Sequence, residues 1–217
     1  MGMAREAAAT FNLDFKAPDV SIKEEHGDIN GFAKVKIHDT DLCKRYVARV
    51  VTDVKIEPSP LWMQLRLMKA GVRPINNIVD ITNYVLMEYS QPIHAFDLDK
   101  LENGEINVRR AKENEKIITL DGEVRELDSD ILVICDKDKP AAVAGVMGGL
   151  HSGISESTKN ILIEVAVFDK QNIARTVKKL GLRSESSTRF EKGISSADCD
   201  EIANRVCNLI ETLNCGR

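Results

Sequence analysis

Apolar positions recur along this chain with two different periods, and the switches between them mark out strands and helices. Over 33–37 and 46–56, β-branched residues alternate with polar ones, the period of a half-buried strand. Pro58 and Pro60 punctuate the exit, and Pro60 stands near the start of a helix, LWMQLRLMKAG, closed by Gly71. Trp62, Leu65 and Met68 recur there at helical spacing and are expected in the core. Ile78, Val79, Ile81, Val85 and Leu86 predict the next helix, 78–89, with Asn77 or Asp80 as its N-cap. Ser90-Gln91-Pro92 breaks it, and His94 and Phe96 follow on a short extended piece. The stretch 105–134 reads as strands and turns, with Asp121-Gly122 the hairpin signal and 130–134 a compact apolar strand. A further strand is expected over 141–147, beside Gly145, Gly148 and Gly149, and another over 161–168. A basic helix, 170–180, ends at Gly181. The amphipathic helix 197–213 turns Ile202, Val206, Leu209, Ile210 and Leu213 inward, with Cys207 buried and inert near that stripe. Residues 4–14 read as a short helix and 15–31, with Pro18, Gly27 and Gly31, as a polar linker. The sum is an α+β chain: a sheet-rich body, with helices at 60–70, 78–89, 170–180 and 197–213, in which 46–56 and 161–168 join one mixed sheet.

Composition narrows the chemistry. At 217 residues and 43% apolar content the chain can bury a substantial core. A net charge of −4 gives no overall basic field of the kind that advertises nucleic acid. The five cysteines, 43, 135, 199, 207 and 215, contain no CxxC pair and read as reduced thiols of a cytoplasmic protein. Histidines 26, 38, 94 and 151 lack ligand spacing, so no metal site is expected. No run approaches membrane length and no signal peptide is visible, so no membrane partner is expected. The glycines near 145–149 are followed by no GK[ST], and their spacing fails the dinucleotide fingerprint; what they permit is close approach of backbone to a bound group.

Polar residues where core is expected carry the candidate chemistry. Within RPINNIVDITNYVLMEYSQPIHAFD, residues 73–97, Asn76, Asn77, Asp80, Thr82, Asn83, Gln91 and His94 thread through apolar positions. A helix carrying Asn83 and a loop delivering His94 should converge, and polar groups buried there need partners from the protein or a ligand. His94 could equally be a structural histidine beside Asp97. On the strand 161–168, Leu162, Glu164, Ala166 and Phe168 share one face, so Glu164 is a lone carboxylate on an apolar surface. It either meets an arginine or waits for a polar group on a ligand. Arg175, Lys178, Lys179 and Arg183 form a basic stretch: a solvated face, or contacts to RNA phosphates.

Four stretches in order, the one above, AAVAGVMGG (141–149), NILIEVAVFD (160–169) and GLRSESSTRFEKG (181–193), resemble the editing domain of bacterial phenylalanyl-tRNA synthetase beta subunits. The resemblance runs from about Tyr46 to the C-terminus. It implies residues 1–40 as the tail of a preceding module and linker, and 41–217 as an editing domain excised from a longer protein, the alternative being a natural 217-residue protein. The opening Met1-Gly2-Met3 reads as left over from expression. The implied activity is hydrolysis of Tyr-tRNA(Phe) by a positioned water, with no covalent nucleophile, since no GxSxG elbow is present. By resemblance Glu164 contacts the tyrosine hydroxyl, with Ala144 and Gly145 supplying backbone beside it. His94 orients the water or holds the terminal adenosine, and Asn83 holds the histidine or the substrate. Ser184 keeps a hydroxyl where many relatives have threonine; Ser186 adds one where they have alanine. The implied partners are tRNA(Phe) and the alpha subunit of the full heterotetramer. This stretch is expected to need no cofactor, the ligase's ATP and Mg being bound elsewhere. A tRNA-binding or structural module that no longer edits, and a freestanding deacylase acting in trans, are the alternatives.

Overall fold

The computed structural model describes residues 1–24 and 27–217; Glu25 and His26, inside the expected linker, lie outside the described residues. The fold is built around Ile161–Phe168 (β10), a strand buried along its whole length. Because alternate side chains point to opposite faces, it serves two cores. Ile161, Ile163, Val165 and Val167 enter one, while Leu162, Ala166 and Phe168 enter the other. β10 is the centre of a three-stranded antiparallel sheet, between Cys43–Val51 (β2) and Ile93–Asp97 (β3). The expected junction of 46–56 with 161–168 is therefore present, in an antiparallel sheet. The strand stops at Val51, before Asp53 takes a left-handed φ of 52°.

The first core is closed by three helices, Leu61–Lys69 (α2), Asn77–Tyr89 (α3) and Cys199–Thr212 (α6), which pack Met63, Leu67, Ile78, Ile81, Val85, Ile202, Val206 and Ile210 against β10. The second core lies under a five-stranded sheet of Lys34–Ile37 (β1), Glu105–Arg110 (β4), Leu132–Asp136 (β7), Lys139–Val143 (β8) and Met147–Gly148 (β9), in the order β1-β4-β7-β8-β9. Only β1 and β4 run parallel in it. Glu115–Ile118 (β5) and Val124–Leu127 (β6) form the expected hairpin, with Gly122 at φ 83°. Lys170–Leu180 (α4), Glu185–Phe190 (α5) and an N-terminal helix, Gly2–Phe11 (α1), complete the α+β fold.

Three expectations are corrected. Trp62, Leu65 and Met68 are 42%, 44% and 50% exposed, not core. α2 carries a second apolar stripe one position on, Met63 and Leu67, and that is the one facing β10. Trp62 stacks edge-on against Tyr84 with the Arg66 guanidinium over its ring, an arrangement that suits an amphipathic surface side chain. The N-cap of α3 is Asn76, whose side chain accepts from the Val79 N–H at 3.0 Å. Asn77 and Asp80 instead tie the preceding loop, through the Lys55 carbonyl and the Ile75 N–H. Finally, 141–147 is not one strand: it breaks at Ala144, and Gly145 turns the chain at φ 68°.

Candidate functional site

Asn83, His94, Gly145, Glu164, Ser184 and Ser186 line one cavity of about 250 Å³, whose remaining wall is largely apolar, including Leu86, Ile93, Ile134, Val146 and Phe190. Local rules deliver each of them. Asn83 projects from α3, whose register is set by the Asn76 cap. Ser90, left-handed at φ 61°, caps the end of α3, and the buried Gln91 donates from Nε2 to the carbonyls of Pro92 and Ala166 at 3.0 and 2.9 Å. That side chain pins the entry of β3 to β10, so His94 arrives directly opposite Glu164 in the antiparallel ladder. Opposed residues share a face, which puts imidazole and carboxylate into the same cavity.

Glu164 is 6% exposed and has no arginine partner among the described residues. Its Oε2 accepts from the Tyr46 hydroxyl at 2.9 Å. Burial pushes its carboxyl up to about 7, against the pull of that hydrogen bond. His94 is not paired with Asp97; three residues apart on a strand, they point to opposite faces. Asp97 instead accepts from Thr158 at 2.6 Å. Burial lowers His94 to about 4, so the ring is neutral near pH 7. Its Nε2 is buried with no partner among the described residues, and the ring packs edge-on against Phe96. A polar atom in that position is costly until something bonds to it.

The glycine-rich turn lies against this ring. A Cβ on Gly148 would stand 2.7 Å from His94 Cε1 and 3.1 Å from Leu120 Cδ1. Gly148→Ala is therefore expected to displace the imidazole and to destabilise the fold by about 1–3 kcal/mol, the usual cost of overpacking. A urea midpoint equal to wild type, with unmoved His94 ring resonances, would show that the turn yields freely.

Ser184 lines the cavity, yet its hydroxyl is already used twice. It donates to the Val146 carbonyl at 2.6 Å and caps α5 by accepting from the Ser187 N–H at 3.1 Å. The reciprocal bond from the Ser184 N–H to Ser187 Oγ completes a capping box. Ser184 thus ties α5 to the 144–147 turn, whereas Ser186, half-buried, opens on the cavity. Ala144 sits behind the wall: it is 1% exposed and its N–H bonds to the Leu132 carbonyl. The basic residues stand outside. Lys179 pairs with Asp128 and Asp130, and Arg183 with Glu191. Arg175 and Lys178 are exposed and unpaired among the described residues.

One residue and one helix of the site are not legible in the sequence. Tyr46 stands at the start of an alternating strand, and nothing local pairs it with a residue more than a hundred positions away. Helix α5 is a six-residue segment, too short for a 3.6 period to declare itself, although Ser184 and Ser187 carry its cap signal. All five cysteines are buried and free, and burial pushes Cys43, Cys135 and Cys207 up to about 12, so none is a ready thiolate. Among the described residues no group of three or more His, Cys, Asp or Glu could hold a metal ion, and no helix is long and apolar enough to cross a membrane.

Comparison with known proteins gives this chain a family. The chain is 52% identical over all 217 residues to the phenylalanine–tRNA ligase beta subunit of Moorella thermoacetica, and 49% identical to that of Clostridium acetobutylicum. It spans 27% of the length of each. A crystal structure of an N-terminal fragment of the phenylalanyl-tRNA synthetase beta subunit from Pyrococcus horikoshii aligns with 76% of this chain and 52% of that one, at 13% identity and a TM-score of 0.47. The resemblance read from the four motifs is thus borne out by the curated relatives. The model of the B3/4 domain matches residues 42–215, so the chain belongs to the B3/4 domain family.

Proposed function

We propose that this chain is the editing portion of a phenylalanine–tRNA ligase beta subunit, hydrolysing tyrosine wrongly esterified to tRNA(Phe). The observation that carries the reading is Glu164: a buried carboxylate at an apolar cavity, opposite His94 and without a cationic partner among the described residues. An apolar synthetic pocket rejects an added hydroxyl by only about 100-fold, so tyrosine is charged in error. A second site that bonds the hydroxyl reverses the preference, because with phenylalanine its acceptor is left unpaired.

In hydrolysis a water oxygen attacks the ester carbonyl carbon, the carbonyl–ribose bond breaks, and a proton passes from the water to the ribose oxygen. Free tyrosine and uncharged tRNA result. The ester is already activated, so positioning suffices. His94, neutral at working pH, has the unpartnered nitrogen that would hold water or the terminal adenosine. Asn83 steadies the same end of the substrate, and Gly145, Ser184 and Ser186, with Ala144 behind them, shape the wall around the side chain. Residues 41–217 carry the editing unit; of 1–40, Lys34–Ile37 (β1) joins its five-stranded sheet and the stretch before it belongs to what precedes the unit. tRNA(Phe) and the alpha subunit are the partners, in the cytoplasm. Arg175, Lys178, Lys179 and Arg183 meet tRNA phosphates, and ATP and Mg serve the ligase elsewhere.

The test is deacylation of pre-charged Tyr-tRNA(Phe) and Phe-tRNA(Phe) by the full-length ligase. His94→Ala acts at the reacting end and is expected to slow both esters by on the order of 100-fold. Tyr-tRNA(Phe) stable in the presence of the wild-type ligase would leave a tRNA-binding or structural module. Full activity of the 217-residue chain alone on free Tyr-tRNA(Phe) would favour a deacylase acting in trans.

A further inference from the structure

We propose that Tyr46 is a specificity-determining positioning residue: its buried hydroxyl holds one oxygen of Glu164, so that the other meets the cavity as a fixed acceptor. The inference rests on Glu164 recognising the ligand hydroxyl.

In the β2–β10 ladder Glu164 stands opposite Ala48 and Tyr46 opposite Ala166, so the two side chains are diagonal neighbours on one face. The small Ala48 and Ala166 leave room between them for the ring and the carboxylate. The contact from Tyr46 Oη to Glu164 Oε2, 2.9 Å, is the hydrogen bond that the Glu164 side chain makes among the described residues. Glu164 lines the cavity, and its other oxygen is not among the sealed, unpartnered atoms. A carboxylate has acceptor sites on both oxygens and, when ionised, no proton to give. With Tyr46 donating to one oxygen, the group offered to the ligand is an acceptor alone, which is the complement of a phenol. The carboxylate then lies between two phenols, one from the protein and one from the substrate.

Tyr46 suits a permanent donor. The residue is half-buried, and desolvation of its hydroxyl together with the neighbouring carboxylate holds that group well above the ordinary phenol range, so it keeps its proton. The ionisable groups facing Glu164 are few. β2 presents Tyr46 and the neutral thiol of Cys43; β3 presents neutral His94. α5 places Glu185 at the rim, where it is exposed and paired with Arg189. The lining residues of α3 and of the 145–148 turn carry no ionisable group. Among the described residues no cation helps keep Glu164 ionised, and the Tyr46 hydroxyl is the group that supports its charge.

The experiment uses the full-length ligase and the ratio of Tyr- to Phe-tRNA(Phe) deacylation, measured from acid to alkaline pH. Tyr46→Phe is expected to lower the ratio by about 10-fold near neutrality and to move the midpoint of its pH dependence upward. Unchanged ratio and midpoint, in a background where Glu164→Ala collapses the ratio, would overturn the role of Tyr46 and leave that of Glu164 standing. A ratio unmoved by Glu164→Ala would overturn both. Should Tyr46→Phe not fold, 3-fluorotyrosine at position 46 keeps the shape and makes a stronger donor. The midpoint is then expected to fall, and one equal to wild type would refute the proposal.

Discussion

Glu164→Ala is expected to lower the ratio of Tyr- to Phe-tRNA(Phe) deacylation by roughly 10- to 150-fold, the worth of a hydrogen bond to a charged acceptor. The loss should fall on tyrosine, because phenylalanine brings no hydroxyl to the acceptor and its slow hydrolysis does not depend on one. The prediction depends on where the carboxylate sits. Were Glu164 neutralised by an arginine, removing it would leave a buried cation and damage the fold for either ester. Its protein partner is instead the Tyr46 hydroxyl, which can be left behind at lower cost. On the proposed reading, aminoacylation with phenylalanine should be unchanged. An unchanged deacylation ratio would make Glu164 a structural carboxylate.

Glu164→Gln should stabilise the chain at alkaline pH, by an amount on the order of 3 kcal/mol. The carboxyl ionises at about 7 in the folded chain, against an ordinary value of 4.5. Below the ordinary value both states carry the proton and nothing is lost. As pH rises through the interval the unfolded chain ionises first, so folding increasingly opposes ionisation. Above the folded value the whole cost is present. The amide carries no charge to desolvate, and its oxygen can still accept from Tyr46. Urea unfolding of wild type and variant at acid and alkaline pH tests this: the gain should vanish in acid and grow toward its limit above neutrality. A pH-independent difference would mean that Glu164 is not the group paying for burial. A carboxylate kept at such a cost is consistent with a task for it in the cavity, since function is a common reason for strain in an otherwise consistent core.

Much of this architecture could be read along the chain because it rests on local periodicity. The alternation in 161–168 predicted both faces of β10, and with them the isolation of Glu164 in an apolar row. The helical period and its punctuation located α2, α3, α4 and α6 to within about two residues, and Asp121-Gly122 its hairpin. Where two local answers were equally good, tertiary packing chose. α2 has two apolar stripes, and only the surface of β10 decides that Met63 and Leu67 go inward while Trp62, Leu65 and Met68 stay out. His94 could have paired with Asp97 by proximity in sequence; the ladder instead set it across from Glu164. Tyr46 and Glu164 lie 118 positions apart, and Gly148 approaches the His94 ring from another sheet. Strand register is a long-range quantity, set by which apolar faces bury together, so these partners are invisible to any local pattern. The polar residues of the candidate site, Asn83, His94 and Glu164, were therefore visible in the sequence, while the pairing that gives Glu164 its environment was decided only when β2, β3 and β10 came together.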